Sequence, residues 1–509
     1  MNLSRRIKSL IIFLDVLIAV LSLIYFYNQQ IYFIGSDSYY YLSLANSLVT
    51  SGKVRDLTTF PPGKPITPQN GIVYVMSALK LLGLKDWQVL KTVPLINFVM
   101  FIFAFYALAK TSRLLKFDSD KIYILSLFYF CHWVLYRLQL IPVNDGIFNA
   151  LSIWAIYFVI VLSQKLGRKT YFRLLMISII AVQFRITSYL ILLSSVLSFI
   201  FLKERKKAIL MFILLVITYL TFKQVYSLSI YDYENSSVAP ITSSFEPDFE
   251  LSPIQEDPGK VTDIDVYPIY YARKTAQKIS DYYPFVADLK QLAETIPELF
   301  LARMDTFSYY LNFAFLIFLT IPLFGLYHGL NRKQFPEIYL SLVILSSICF
   351  IIFVGIIDKR YLFLVYIYTL LLLIKWMEYF RWLKVFIFGY LLMVILYSLY
   401  NFRRPYTKSC NLELMLSVAE NGIKLPPNSI LIAEEKRHAY LFLGKSKYDF
   451  ELFSDSLIFK DIYISGSPVW IDNTLSQLNK YFPRSISNPP LVSESIGSDQ
   501  CFLVKTEHK

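Results

Sequence analysis

Long blocks of apolar residues constrain the fold of this chain more than any other feature of its sequence. Ile122–Ile141, Phe313–Leu330 and Ile338–Ile357 are three of them. As helices that rise about 1.5 Å per residue, blocks of this length cross a hydrocarbon core about 30 Å thick. Of the 509 residues, 56% are hydrophobic and only 17% are charged. The sequence therefore predicts an all-α, polytopic membrane domain rather than a set of soluble domains.

The basic residues lie in short clusters between the apolar blocks. The clusters are Arg5–Lys8, Lys110–Lys121, Lys165–Arg173, Lys203–Lys207, Arg332–Lys333 and Lys375–Lys384. Short loops rich in Lys and Arg face the cytoplasm in membrane proteins. The formal net charge of +13 is therefore interpreted as membrane topology, with membrane lipids as partners and no nucleic acid.

If every basic cluster faces the cytoplasm, the chain between two consecutive clusters crosses the membrane an even number of times. The stretch Leu174–Leu202 has the length of one long span, but a single crossing would put Lys169 and Lys206 on opposite sides. Two short crossings that turn near Arg185 keep these lysines on one side, so a hairpin is the preferred interpretation. A charge at such a turn is also tolerated better when it lines an aqueous cavity.

About eleven spans result from this argument. They are predicted at 10–27, 92–109, 122–141 and 147–163, in the hairpin, and at 207–225, 308–330, 336–357, 361–375 and 383–400. Residues 1–400 thus form a membrane domain with a first outer loop at 28–91 and a large outer loop at 226–307. Within the first loop, Ile72–Leu84 is apolar but too short to span, which suits a helix at the membrane interface. The expected location is the inner (plasma) membrane.

Residues 401–509 follow the last span and lie on the non-cytoplasmic side in this topology. The short β-like runs Ser429–Ala433, Asp461–Ser465 and Cys501–Lys505 alternate with polar turns there, which predicts a small extramembrane α/β domain. Disulfides persist outside the cytoplasm. A bridge between Cys410 and Cys501 is therefore one interpretation, and two separate buried thiols are the other.

Four ionisable sites fall near the membrane edge on this non-cytoplasmic side. They are Asp37, Asp145, Arg185 and the pair Lys359–Arg360. Each also has a purely structural interpretation. The two aspartates could cap helices, Arg185 could pair with an aspartate, and the basic pair could reach lipid phosphates. Together, however, they offer carboxylates to take a proton from an acceptor and cations to stabilise a departing phosphate. This combination suits group transfer from a lipid-linked phosphate donor.

The order of these motifs resembles the GT-C superfamily of membrane glycosyltransferases, especially bacterial, family 39-type relatives of protein O-mannosyltransferases and aminoarabinose transferases. The resemblance rests on an acidic residue and a Tyr-Tyr pair soon after the first span, and on the short Asp145 loop after the third. Arg185-Ile-Thr-Ser and Arg360-Tyr361-Leu362 complete it. It covers roughly residues 10–225 and 355–380. One departure is Phe60-Pro-Pro, where many relatives have His-Pro-Pro.

The resemblance implies a GT-C-like fold and a role for each matching residue. Asp37 would be the catalytic carboxylate that activates the acceptor, and Asp145 would assist it or, in metal-using relatives, share a divalent cation with it. Arg185 and Arg360, with Lys359 beside them, would bind the donor phosphate. The neighbouring tyrosines are predicted to bind substrate; they are Tyr39, Tyr40 and Tyr361. The sequence identifies no cofactor with certainty, and a divalent cation is a possible one.

The predicted activity is transfer of a sugar from a polyprenyl-phosphate donor to a glycan, lipid or protein acceptor at the outer face of the membrane. A polysaccharide polymerase or ligase is an alternative, since such enzymes also combine many spans with a large outer loop, but they do not require the early Asp37 motif. A lipid flippase or transporter is a third possibility. It would distribute intramembrane charges over several helices and would need no sizeable outer domain.

Overall fold

The computed structural model describes two blocks of helices and a set of strands. The described residues of the helical part are 4–28, 36–54, 71–132, 135, 136, 139–234, 320–354, 362–377 and 379–401. In the last hundred residues, the structure describes chiefly five strands. Most of the large outer loop (235–307), the proline-rich stretch 55–70 and the segment 355–361 lie outside the described residues.

The first block contains nine helices within its described ranges. They are α1 (Arg5–Asn28), α2 (Ser36–Ser51), α3 (Gly71–Leu81), α4 (Asp86–Leu114), α5 (Ser119–Phe130), α6 (Asp145–Gln164), α7 (Arg168–Phe184), α8 (Ser188–Phe201) and α9 (Arg205–Glu234). The second block contains α10 (320–332), α11 (Phe335–Val354), α12 (Leu362–Trp376) and α13 (Arg381–Asn401). Helix α9 thus continues past the predicted end of its span at residue 225.

Four of the described helices are long and apolar enough to cross a membrane. They are Arg5–Phe26, Gln88–Leu114, Asp145–Gln164 and Arg205–Val225. Shorter apolar helices, such as Ser188–Phe201 and Phe363–Trp376, accompany them. A 14-residue helix is about 21 Å long, less than the thickness of the hydrocarbon core. The chain is therefore a multi-pass membrane protein, and the number of about eleven spans stays a prediction.

The predicted third span at 122–141 is wrong as a continuous helix. Helix α5 ends at Phe130, and Cys131 leaves the helical conformation. The polar residues after the break, His132, Arg137 and Gln139, are its signal in the sequence, which the prediction of one continuous span overlooked. Ser398 of α13 donates a hydrogen bond to the Cys131 carbonyl over 2.6 Å and so provides a partner at the end of the helix.

The basic clusters of the helical domain meet at one end of it. Lys8 at the start of α1 pairs with Asp120 of α5 over 2.8 Å. Lys207 at the start of α9 donates to the carbonyl of Ser163 near the end of α6. Phe199, near the end of α8, lies under the Lys207 ammonium and stacks on a ring at the start of α11. Lys375, near the end of α12, pairs with Glu337 in the first turn of α11.

Helices α4 and α6 run parallel to each other, and the contacts between them identify the end of the helical domain opposite the basic clusters. Asn97 of α4 packs on Gly146 at the start of α6, whereas Lys110 near the end of α4 lies over the ring of Tyr157 further along α6. Asp145 therefore lies at the end of the domain away from the basic clusters. Helix α7 starts at the basic end and reaches this opposite end, and α8 returns from it, as the hairpin interpretation expected.

The last hundred residues contain one five-stranded sheet. Its strands are β1 (Ile430–Ala433), β2 (Ile462–Gly466), β3 (Arg484–Ile486), β4 (Val492–Ile496) and β5 (Asp499–His508). The long strand β5 pairs antiparallel with β2, β3 and β4, and β1 pairs parallel with β2. Strands occupy all three predicted β-like runs. Cys410 lies outside the described residues, so its bridge to Cys501 and a separate α/β domain stay predictions.

Candidate active site

Arg185 lies in the break between two helices rather than within a span. Helix α7 ends at Phe184, and Arg185 has extended backbone angles of φ −152° and ψ 132°. Its N–H still bonds to the carbonyl of Ala181, while Ser188 opens α8 three residues later. The residue is only 9% exposed. A guanidinium with this little exposure requires a partner of opposite charge.

That partner is Asp145 in the first turn of α6. A terminal guanidinium nitrogen of Arg185 lies 2.5 Å from Oδ1 of Asp145, whose residue is 1% exposed. The start of a helix carries partial positive charge, so a carboxylate is favourable at this position. The structural interpretation of Arg185, a partner for an aspartate, therefore holds. It leaves the role of the pair in catalysis open.

Two close packing contacts hold the backbone around this pair. A Cβ added to Gly71, the first residue of α3, would lie 2.7 Å from the ring of Phe184, next to Arg185. A Cβ added to Gly146 would overlap the side chain of Asn97. Asn97 in turn donates to the carbonyl of Ile141 over 3.0 Å. Helices α3 and α4 thus pack directly against the two turns that carry the ion pair.

Asn144 connects the first-loop helices to the same site. Its Nδ2 donates to the hydroxyl of Tyr41 on α2 over 2.9 Å, and its Oδ1 accepts from the N–H of Ile72 on α3 over 3.2 Å. The sequence analysis did not select Asn144, Tyr41 or Asn97. The only sequence signal for Asn144 is its position beside Asp145 in a turn between two apolar blocks.

Asp37 lies half-buried in the first turn of α2. The helix begins at Ser36, so Asp37 is inside the first turn and does not precede the helix as a cap would. Tyr41 follows four residues later, and residues i and i+4 lie on one face of a helix. Asp37 is therefore one helical turn from the residue that bonds to Asn144. Of the two predicted substrate tyrosines on α2, Tyr39 is buried and Tyr40 is half-buried.

The remaining predicted site residues are not placed by the structure. Lys359, Arg360 and Tyr361 lie outside the described residues. The helices on either side of this segment do border the ion pair. Phe350 of α11 and Leu364 of α12 line the same cavity as Asp145 and Arg185.

This cavity lies between α6, α8, α11 and α12, and both polar and apolar side chains line it. Its lining residues are Asp145, Phe148, Asn149, Arg185, Thr187, Leu190, Ile191, Ser347, Phe350 and Leu364. Asn149 follows Asp145 by one helical turn, and its amide nitrogen is buried without a hydrogen-bond partner among the described residues. A polar ligand in the cavity would meet this N–H group and the Arg185 guanidinium. The sequence analysis overlooked Asn149, although its i+4 spacing from Asp145 was visible.

Metal dependence remains open. Among the described residues, no three His, Cys, Asp or Glu side chains come together as a metal-binding group. The Oδ1 of Asp145 already faces the positive charge of Arg185. A divalent cation held by Asp37 and Asp145 stays a prediction from the sequence.

Together, the helical bundle and its small C-terminal sheet have a GT-C-like fold, the fold of a class of membrane glycosyltransferases. The structure is similar to that of ArnT from Cupriavidus metallidurans bound to undecaprenyl phosphate, with a TM-score of 0.52 and 10% identity over 98% of this chain and 97% of that chain. It is also similar to the oligosaccharyltransferase of Archaeoglobus fulgidus in complex with Zn and sulfate. For this pair the TM-score is 0.50, with 11% identity over 94% of this chain and 72% of that chain. In sequence, neither a family model nor a curated protein matches the chain.

Proposed function

We propose that the chain is an integral membrane glycosyltransferase that moves a sugar from a polyprenyl-phosphate donor to an acceptor at the non-cytoplasmic face of the membrane. The observation that carries the proposal is the buried Asp145–Arg185 pair beside a largely apolar cavity, within a fold similar to those of ArnT and an oligosaccharyltransferase. Undecaprenyl phosphate is bound in one of these neighbours, which supports a lipid-linked donor here. The sugar is a hexose or a pentose, and the acceptor is a glycan, a lipid or a protein.

The distribution of charge supports the orientation. The basic clusters meet at one end of the helical domain, and the Asp145–Arg185 pair lies at the other. Because clusters of Lys and Arg between spans face the cytoplasm, the candidate site faces the opposite side. The membrane is the inner (plasma) membrane, and the sheet at the C-terminus lies on the same side as the site.

In the proposed reaction, an acceptor hydroxyl or amine attacks the anomeric carbon of the sugar. The new bond forms as the bond between this carbon and the phosphate oxygen breaks, and its electron pair leaves with the polyprenyl phosphate. Asp37 takes the proton of the acceptor as a general base. Asp145 orients the acceptor and holds Arg185 in place.

The donor phosphate gains negative charge as it departs, and fixed N–H donors stabilise that charge. Arg185 provides them at the cavity, together with the amide of Asn149. Lys359 and Arg360 are proposed as further phosphate ligands. The three tyrosines predicted from the sequence, Tyr39, Tyr40 and Tyr361, are proposed to bind substrate. The large loop after α9 would help to close the site over the donor.

Mass spectrometry of cell-envelope glycans tests this function. A strain that lacks the gene should lose a sugar modification, and the wild-type gene should restore it while the Asp37→Asn gene does not. In parallel, the purified full-length protein in lipid nanodiscs should bind undecaprenyl phosphate, and Arg185→Ala should weaken this binding at least tenfold. Envelope glycans that are identical with and without the gene would contradict the proposal.

A further inference from the structure

The Asn144 side chain joins three parts of the fold that are far apart in the sequence. It is 2% exposed, and its two polar atoms bond to Tyr41 of α2 and to the N–H of Ile72 in α3. The first N–H groups of a helix have no partner within the helix. Asn144 therefore caps α3 from outside and, with the same amide, holds α2.

The backbone of Asn144 belongs to the start of α6. Its carbonyl accepts the N–H of Phe148 over 3.1 Å, which places Asn144 at the N-cap position directly before Asp145. A movement of α2 or α3 is thus transmitted through a single residue to the carboxylate that pairs with Arg185. Gly71, packed face-on against Phe184, gives α3 a second contact with the turn that carries Arg185.

The hydrogen bond to Tyr41 lies near the functional end of α2. Two further hydrogen bonds of this helix lie in its second half, where Asn46 donates to Asp86 over 3.2 Å and Ser77 donates to the carbonyl of Ala45 over 3.3 Å. Tyr41 is one helical turn from Asp37. The bond to Asn144 thus lies at the end of α2 that carries the proposed base, while the bond of Asn46 lies towards the other end.

We infer that Asn144 is a positioning residue that holds α2, and with it Asp37, in register with the Asp145–Arg185 pair. This inference rests on the proposed function, in which Asp37 must reach an acceptor whose sugar donor lies at Arg185. A base displaced by about 1 Å can cost a factor of about one hundred in rate. Asn144 is not among the residues that line the cavity beside Arg185, so its loss should leave donor binding largely intact.

The test uses four variants of the full-length protein, in native membranes for transfer and in lipid nanodiscs for donor binding and hydrogen exchange. Asn144→Leu keeps the approximate shape of the side chain and removes both hydrogen bonds, and Tyr41→Phe removes one of them from the other side. The double variant Asn144→Leu/Tyr41→Phe completes a double-mutant cycle. Asn46→Leu is the matched control, because it removes a hydrogen bond of α2 at the end away from Asp37.

Transfer is measured as the rate at which envelope glycans are modified in membranes that contain the native donor. Asn144→Leu should lower this rate at least tenfold. The double variant should lie within twofold of Asn144→Leu, since both substitutions remove the same hydrogen bond between Asn144 and Tyr41. The Kd for undecaprenyl phosphate should stay within twofold of the wild-type value. Asn46→Leu should keep at least half of the wild-type rate.

Hydrogen exchange provides a readout that does not depend on transfer. Peptides that cover residues 36–45 and 71–76 should exchange faster in Asn144→Leu, while Asn46→Leu should affect the second half of α2. Unchanged exchange at 36–45 in Asn144→Leu would overturn the inference even if the protein proved not to be a glycosyltransferase. A rate loss that is multiplicative in the double variant, or an equal loss of affinity for undecaprenyl phosphate, would overturn it as well.

Absence of any glycan change with the wild-type gene would instead contradict the proposed function. The exchange experiment would still decide the role of Asn144.

Discussion

Arg185 and Asp145 form an ion pair of 2.5 Å in the interior of the helical domain, each contributed by a turn at the end of a helix. Neither side chain has enough exposure to be solvated by water, so each charge is stabilised in part by the other. The pair therefore ties the hairpin of α7 and α8 to the start of α6. It also keeps a cation beside the cavity before any substrate arrives.

Breaking this pair on one side should be more harmful than neutralising both sides. Arg185→Gln leaves the Asp145 carboxylate buried without its cation, which should lower the free energy of unfolding by about 3–5 kcal/mol. The double variant Asp145→Asn/Arg185→Gln replaces the pair with two amides and should lose less. Thermal unfolding in nanodiscs measures both. A double variant that is less stable than Arg185→Gln would show that the pair does not act as a unit.

Asp37→Asn should abolish transfer and leave folding intact. The substitution removes the proposed base but keeps the size and most of the polarity of the side chain at the start of α2. Asp118→Asn is the matched control, since Asp118 caps α5 at the basic end and asparagine is an equally good cap. Glycan modification and thermal unfolding should be measured for both. A purified Asp37→Asn protein that keeps a tenth of the wild-type turnover would show that another group is the base.

The sequence predicted the large features of this fold because they depend on local composition. Apolar blocks identified most of the helices, and the spacing of basic clusters predicted the turn at Arg185, where the structure has a helix break. The end of α5 at Phe130 was missed, although the residues that follow it are more polar than those before and include His132, Arg137 and Gln139. The bond that accompanies this break comes from Ser398, far along the chain.

The candidate site was also predictable only in part, because some of its contacts join residues that are far apart in the sequence. Asp145 and Arg185 stood out because charges near membrane spans are costly and therefore conspicuous. Asn144 and Asn149 are neutral amides with no such signal. Their importance arises from contacts with Tyr41, Ile72 and the cavity, which no local pattern encodes.

Gly71→Ala should disturb the site through packing alone. The new Cβ would overlap the Phe184 ring, so α3 or the turn that carries Arg185 must shift. We expect a loss of about 1–3 kcal/mol in the free energy of unfolding and a reduced transfer rate. Phe184→Ala in the same chain makes room and should restore part of the rate. Gly167→Ala, where a Cβ meets only an ordinary contact at 3.6 Å, is the control and should behave as wild type.

Glu337→Gln tests a buried charge cluster at the basic end. Glu337 is fully buried, and it pairs with His328 over 2.6 Å and with Lys375 over 2.5 Å. Removing its charge leaves Lys375 poorly compensated and should cost about 3–5 kcal/mol, while donor binding stays unchanged because the cluster lies far from the cavity. The control is Glu204→Gln, which breaks a more exposed pair with Lys207 and should change stability by about 0–1 kcal/mol. Equal melting temperatures for the two variants would contradict this ranking.

The orientation of the whole domain can be tested with single cysteines in a chain whose native cysteines are replaced. Lys85, directly before α4, is exposed at the end that carries the candidate site, and Lys169 is exposed at the basic end. If clusters of basic residues face the cytoplasm, a membrane-impermeant maleimide should label Lys85→Cys in intact spheroplasts. It should label Lys169→Cys only after the membrane is permeabilised. The opposite pattern would place Asp145 and Arg185 on the cytoplasmic side. A nucleotide-linked donor is as accessible there as a lipid-linked one. The proposed reaction at the outer face would then be wrong.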